Sequence, residues 1–159
     1  MNQAIKTWAT FGITSWIITT LGLMVGLASW TWSLMVVIWG ILTIAVADSF
    51  SDALGIHVSQ ESDKKNSKKD IWLATLTAFL TKLIFALTFL FPILFFWIQT
   101  WIIINSIRWL LSLTFLSYTI AQNNKENIWH AIIEHVGIAL IVIVSTYYIG
   151  RIIAHIFGT

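Results

Sequence analysis

Residues 32–54 read Trp32-Ser-Leu-Met-Val-Val-Ile-Trp-Gly-Ile-Leu-Thr-Ile-Ala-Val-Ala-Asp-Ser-Phe-Ser-Asp-Ala-Leu54. No charge interrupts this run before Asp48, and its length matches the roughly 20 residues that a helix needs to cross a bilayer. Strict alternation of apolar and polar residues is missing, which argues against a barrel strand, and a lone segment in hydrocarbon satisfies its amides only as a helix. Four more runs have the same character: Trp8 to Ala28, Ile71 to Phe96, Trp101 to Ile120 and Ala131 to Phe157. The chain therefore reads as an all-α integral membrane protein, a single transmembrane domain of five helices over residues 1–159.

Composition points the same way, with 58% hydrophobic and 10% charged residues, where soluble domains carry about 25% charged residues. Amphipathic indole rings favour the headgroup level, and Trp8, Trp30, Trp32, Trp72, Trp97, Trp101 and Trp129 lie near the ends of the runs. Trp16, Trp39 and Trp109 fall inside runs and are expected to pack between helices. The absence of Cys excludes disulfides, thiolate metal sites and thiol catalysis. After Lys6 the apolar run continues past Val25, too long for a signal-peptide core and without a small-residue cleavage site, so it reads as the first span. Phosphate loops, nucleophile elbows and HExxH are all missing, and no enzyme is expected. Pro92, the only proline, should kink or end the third helix near its outer end.

Lys64, Lys65, Lys68 and Lys69 lie between spans two and three, Lys6 precedes span one, and Lys125 lies between spans four and five. The positive-inside rule makes these segments cytoplasmic, with the N-terminus inside and the C-terminus outside, although Arg151 and His155 dissent. The loop 58–70 is too short and polar for a domain, and its lysines read as a topology anchor. A net charge of +2 gives orientation and no sign of a nucleic-acid partner.

Polar groups inside the spans carry the functional question, because a charge at bilayer depth costs about 2.5–3.5 kcal/mol on insertion scales. Asp48 and Asp52 are one helical turn apart and share a face of span two. Two such carboxylates need a cation between them, a basic side chain, or a proton on one of them. Lys82, about mid-way along span three, is the candidate for compensation; an internal salt bridge, a part in transport and snorkelling are all open readings. Arg108 and Asn105 lie in span four, and Arg108 is expected nearer the outside than Glu134. His130 and Glu134 share a face at the start of span five beside His135, a weak metal pattern that interfacial polar residues also explain. His57 and Glu61, also one turn apart, could extend a cytoplasmic mouth lined by Asp52. Gly22 and Gly26 make a GxxxG spacing, one reading of which is a dimer seam.

Ser15-Trp-Ile-Ile-Thr-Thr-Leu-Gly-Leu-Met-Val-Gly26 resembles the DGIVTTLGLVAG-type first helix of the vacuolar iron transporter family. Ala47-Asp-Ser-Phe-Ser-Asp-Ala-Leu-Gly-Ile-His-Val-Ser59 is similar to that family's ADGFSM or AGALSMAAGEYVS stretch. Phe79-Leu-Thr-Lys-Leu-Ile-Phe-Ala-Leu-Thr-Phe-Leu-Phe-Pro92 and Tyr147-Tyr-Ile-Gly-Arg151 resemble its third helix and its AYxIG terminus, so all five spans are covered in order. The resemblance implies a homodimer with the pathway between subunits, and export of Fe²⁺ or Mn²⁺ from the cytosol in exchange for protons. On this pattern Asp48, Gly55 and Ser59 match, whereas the family's first-helix aspartate falls on Ser15, its methionine on Asp52, two of its glutamates on Ile44 and Ile56, and an apolar position on Lys82. The loop before Ile71 holds only Glu61, Asp63 and Asp70 in place of a glutamate-rich metal-binding domain.

Two functions are expected as alternatives. In one, Asp48 and Asp52 bind a divalent ion as hard oxygen ligands, Ser15, Thr19 and Ser51 line the path with Lys82, and His57 and Glu61 form the inner mouth. The transported ion is then the ligand and no cofactor stays bound. In the other, Lys82 replaces the cation permanently and the protein is a membrane scaffold or partner-binding module. Short loops suit a bacterial inner membrane.

Overall fold

A computed structural model describes residues 3–31, 33–63, 66–91 and 97–157, apart from the side chains of 3–7 and 9. Five helices follow in order: α1 (Gln3–Thr31), α2 (Leu34–Ser62), α3 (Lys68–Leu90), α4 (Ile98–Asn124) and α5 (Ile128–Phe157). Each is long and apolar enough to cross a membrane, and no strand occurs among the described residues.

The helices run past the apolar stretches, because a started hydrogen-bond ladder propagates until a breaker or a cap stops it. Thus α2 carries on through His57 and Glu61 to Ser62, and α3 starts at Lys68, so helices take up much of the polar segment expected at 58–70. Ser67 caps α3: its Oγ accepts from the Asp70 amide at 3.2 Å and donates to the Asp70 carboxylate at 2.7 Å. The left-handed Lys125 (φ 59°) ends α4, with the Glu126 amide returning to Ala121 O at 2.9 Å. Asn127 Oδ1 then accepts from the Trp129 and His130 amides and starts α5. The bend expected at Pro92 lies outside the described residues.

At the centre is α1, packed against all four other helices. Contacts fix the directions: α1 runs antiparallel to α2 (Ser15 to Asp52, Thr19 to Asp48) and parallel to α3 (Gly12 beside Ala78 and Thr81). It is also parallel to α5, where Gly22 meets Val142 and Gly26 meets Thr146. The start of α1, the α2–α3 turn and the α4–α5 turn therefore share one end, called here the lysine-bearing end.

Association of helices in lipid rests on close packing, small residues and interhelical hydrogen bonds. The buried stripe of α4 recurs every four residues, Trp101, Asn105, Trp109, Leu113, Ser117 and Ala121. Lys82 sits in the corresponding stripe of α3 between Ala78 and Ala86. Above it Trp16, Phe85, Phe89 and Trp109 form an aromatic plug; Trp16 meets Phe89 edge-on at 4.2 Å, and Phe89 stacks on Trp109 at 4.7 Å. Trp16 and Trp109 are buried as expected, but Trp39 is 64% exposed, because α2 is an edge helix packed chiefly on α1 and α3. Trp101, expected at a membrane interface, is fully buried and donates its indole N–H to Phe89 O at 3.2 Å.

That last bond belongs to a set. The final carbonyls of α3 lack intrahelical partners, and Pro92, four residues after Thr88, brings no N–H. Side chains of α4 supply the donors: Arg108 Nη2 reaches Thr88 O at 2.8 Å, and Asn105 Nδ2 reaches Phe89 O at 3.3 Å. Arg108 also lies over the Trp109 ring at 4.7 Å.

Candidate functional site

Two rungs connect α1 and α2. Ser15 Oγ donates to Asp52 Oδ2 at 3.0 Å, and one turn further along α1 Thr19 Oγ1 donates to Asp48 Oδ2 at 3.1 Å. The i, i+4 spacing on both antiparallel helices makes this ladder possible. From α3, Lys82 inserts its ammonium between the rungs. Its Nζ lies 2.6 Å from Asp48 Oδ2, touches Asp52 Oδ2, and reaches Ser15 Oγ at 3.2 Å. An ammonium has three N–H donors, and here it has three acceptors.

Exposure is uneven. The Lys82 side chain is 0% exposed, against 22% for Asp48 and 21% for Asp52. The ammonium therefore sits behind the carboxylates, which face the open side of the α1–α2 pair. Two carboxylates and one ammonium leave the cluster one negative charge in excess when all are ionised. A buried pair is stable only with good geometry and further hydrogen bonds, which the two hydroxyls supply.

Two clefts flank the ladder. One, of about 260 Å³, opens toward the lysine-bearing end between Trp8, Phe11, Ser51, Asp52, Gly55 and Ser59. The other, of about 400 Å³, lies further along α1, is almost wholly apolar, and includes Thr19, Gly22, Gly26, Ile44, Thr146 and Gly150. The aromatic plug packs among α1, α3 and α4, with Trp16 falling between Ser15 and Thr19 along α1.

Of the residues singled out in sequence, Asp48, Asp52, Ser15, Thr19 and Lys82 come together. Ser51 lines the first cleft but is exposed and makes no bond to the cluster, being about 100° round the helix from Asp52. His57 and Glu61 are not brought into contact: Glu61 is exposed, while His57 contacts Thr75 Oγ1 at 3.0 Å and Trp72 edge-on at 4.9 Å. His130 and Glu134 are well exposed and 3.7 Å apart, and His135 turns away from them to Ser117 at 2.9 Å. No three His, Asp or Glu side chains gather into a metal-sized group among the described residues. Gly22 and Gly26, read as a dimer seam, notch against α5 of the same chain: a Cβ on Gly22 would stand 2.7 Å from Val142, and one on Gly26 3.4 Å from Thr146. Arg108 caps α3 and has no part in the cluster.

The sequence reading missed the partners of the histidines, Thr75 and Ser117. Both are hydroxyls bonded to a carbonyl one turn back, Ile71 O and Leu113 O, and a hydroxyl facing a histidine across an interhelical contact leaves no spacing signal within one helix.

No protein-family model, curated protein or solved structure matches this chain.

Proposed function

We propose that the chain is a transporter of divalent metal cations, Fe²⁺ or Mn²⁺, that exchanges them for protons across a bacterial inner membrane and exports them from the cytosol. The observation that carries the reading is the pair of half-open carboxylates, Asp48 and Asp52, holding an ammonium that comes from behind them. A divalent ion arriving from the open side meets the carboxylates first. It neutralises both, whereas Lys82 neutralises one, so exchange of the ion for Lys82 plus one proton leaves the charge of the site unchanged. Asp48, Asp52, Ser15 and Thr19 offer only oxygen, a donor set that suits Mn²⁺.

A second observation supports the kinship with the vacuolar iron transporters. The position where that family has its first-helix aspartate is Ser15, and its methionine position is Asp52; these two side chains are hydrogen-bonded here at 3.0 Å. Both clefts open beside α1 and α2, the surface that the homodimer implied by the resemblance would cover. With the lysine-bearing end in the cytosol, the cleft at Asp52 is the inner mouth.

The complete burial of Lys82 favours one other reading, a membrane scaffold in which the ammonium is a permanent counter-ion. Proteoliposomes with a divalent-ion reporter and a pH dye separate the two. Saturable Mn²⁺ or Fe²⁺ flux with opposite proton movement is expected, reduced by about 10²-fold or more in Asp48→Asn and Asp52→Asn, since neither amide gives the ion a charge. A well-folded protein that moves none of Fe²⁺, Mn²⁺, Zn²⁺ or Ca²⁺ would leave the scaffold.

A further inference from the structure

Every Asp and Glu of the chain lies within residues 48–70 or 126–134. Asp48 and Asp52 are paired with Lys82, and the others lie at or near the lysine-bearing end. The opposite end of the bundle therefore has no carboxylate side chain, yet Arg108 serves that end. Side chains lean toward the N-terminus of their helix, and α4 begins there, so the guanidinium snorkels outward and reaches Thr88 O in the last turn of α3. Its backbone lies about 15 Å inside the start of α4 at Ile98.

A guanidinium has five N–H donors in a planar fork. Among the described residues Arg108 makes one hydrogen bond with them, to Thr88 O at 2.8 Å, and its Nε–H has no partner. The Trp109 ring, 4.7 Å from Cζ, adds an attraction. A carbonyl and a ring face leave the positive charge without a counter-charge, which a charge within a span calls for.

Arg108 lines a cleft of about 430 Å³ with Leu87, Thr88 and Phe91. Leu87 and Phe91 are exposed on the surface that lipid covers. The Thr88 hydroxyl gives its proton to Phe85 O at 2.6 Å, so of these four side chains only Arg108 has donors left for a ligand. A molecule that fits is anionic at one end and apolar along the rest. Free phosphate would give up water for two apolar walls. A phospholipid brings chains that bury against those walls, and its phosphate oxygens match the guanidinium fork.

We propose that this cleft binds an anionic phospholipid from the leaflet opposite the lysines, with Arg108 as the counter-ion of its phosphate and Leu87 and Phe91 against its acyl chains. The site lies apart from the Asp48, Asp52 and Lys82 cluster and does not depend on cation transport.

The protein, stripped of lipid in a non-ionic detergent, is titrated with phosphatidylglycerol or phosphatidylcholine and followed by native mass spectrometry and thermal unfolding. Phosphatidylglycerol should be retained as a single adduct and raise the unfolding midpoint. Phosphatidylcholine, whose phosphate has its own ammonium, should bind more weakly. Arg108→Gln keeps an N–H for Thr88 O and removes the charge; it should weaken the phosphatidylglycerol adduct by about tenfold or more, the worth of a hydrogen bond to a charged group. Leu87→Trp fills the cleft and leaves the guanidinium in place, and it too should lose the adduct, whether or not Arg108→Gln folds. Lys69→Gln, at an exposed position of the lysine-bearing end, should retain it. Equal retention of the two lipids, or an adduct kept in Leu87→Trp and lost in Lys69→Gln, overturns the site. Displacement of phosphatidylglycerol by inorganic phosphate at similar concentration overturns the lipid and gives the cleft to a soluble anion.

Discussion

Lys82 is held by three acceptors from two helices, and its removal strands two carboxylates inside the bundle. Breaking such a buried pair from one side costs about 3–5 kcal/mol, so Lys82→Met should unfold at clearly lower temperature in detergent with a chelator present. Added Mn²⁺ should restore more stability to this variant than to wild type, because the tethered competitor is gone and a ligand bound only by the folded state stabilises it. Thermal unfolding with and without Mn²⁺ measures this, and a permanent counter-ion predicts the loss without the recovery. Much of the cluster was legible in sequence: Asp48 and Asp52 are one turn apart, and a lysine at depth in the next span has few other uses. Ser51 and Trp39 were less so, because position along a span says nothing of which face a neighbour covers; both are exposed.

Between helices, glycine marks where backbones meet. On α5, Gly150 lies against Ser29 Oγ and the backbone of Gly26, while Gly137 has nothing within 4 Å of an added Cβ. Gly150→Ala should therefore destabilise by about 1–3 kcal/mol, because a backbone carbonyl cannot move aside. Gly137→Ala should be neutral or stabilising by up to about 1 kcal/mol, and denaturant melts of the two variants test the contrast. The end of α3 calls for a different experiment. Arg108→Met removes the donor from Thr88 O, and an unsatisfied buried carbonyl costs about 1–3 kcal/mol. Denaturant melts of this variant measure the loss. Five helices were readable from apolar length alone, but the capping of α3 by α4 depends on how a helix pair aligns, and no periodicity within either helix records that.

At the scale of the whole molecule, one cleft opens at Asp52 on the α1–α2 side, and the plug of Trp16, Phe85, Phe89 and Trp109 packs among α1, α3 and α4. If that plug is the barrier on the far side, thinning it with Trp16→Leu should give Mn²⁺ leakage that no longer depends on an opposing pH gradient, measured by reporter flux in vesicles. The charge cluster also constrains how the protein is made. Asp52 precedes Lys82 by 30 residues, and at 5–20 residues per second the ribosome takes about 2–6 s to supply the lysine. Throughout that interval α2 carries two carboxylates into the translocon with only the hydroxyls of α1 to receive them. α2 alone should therefore enter the bilayer less completely than the α2–α3 hairpin, which a glycosylation-reporter insertion assay of the two segments measures.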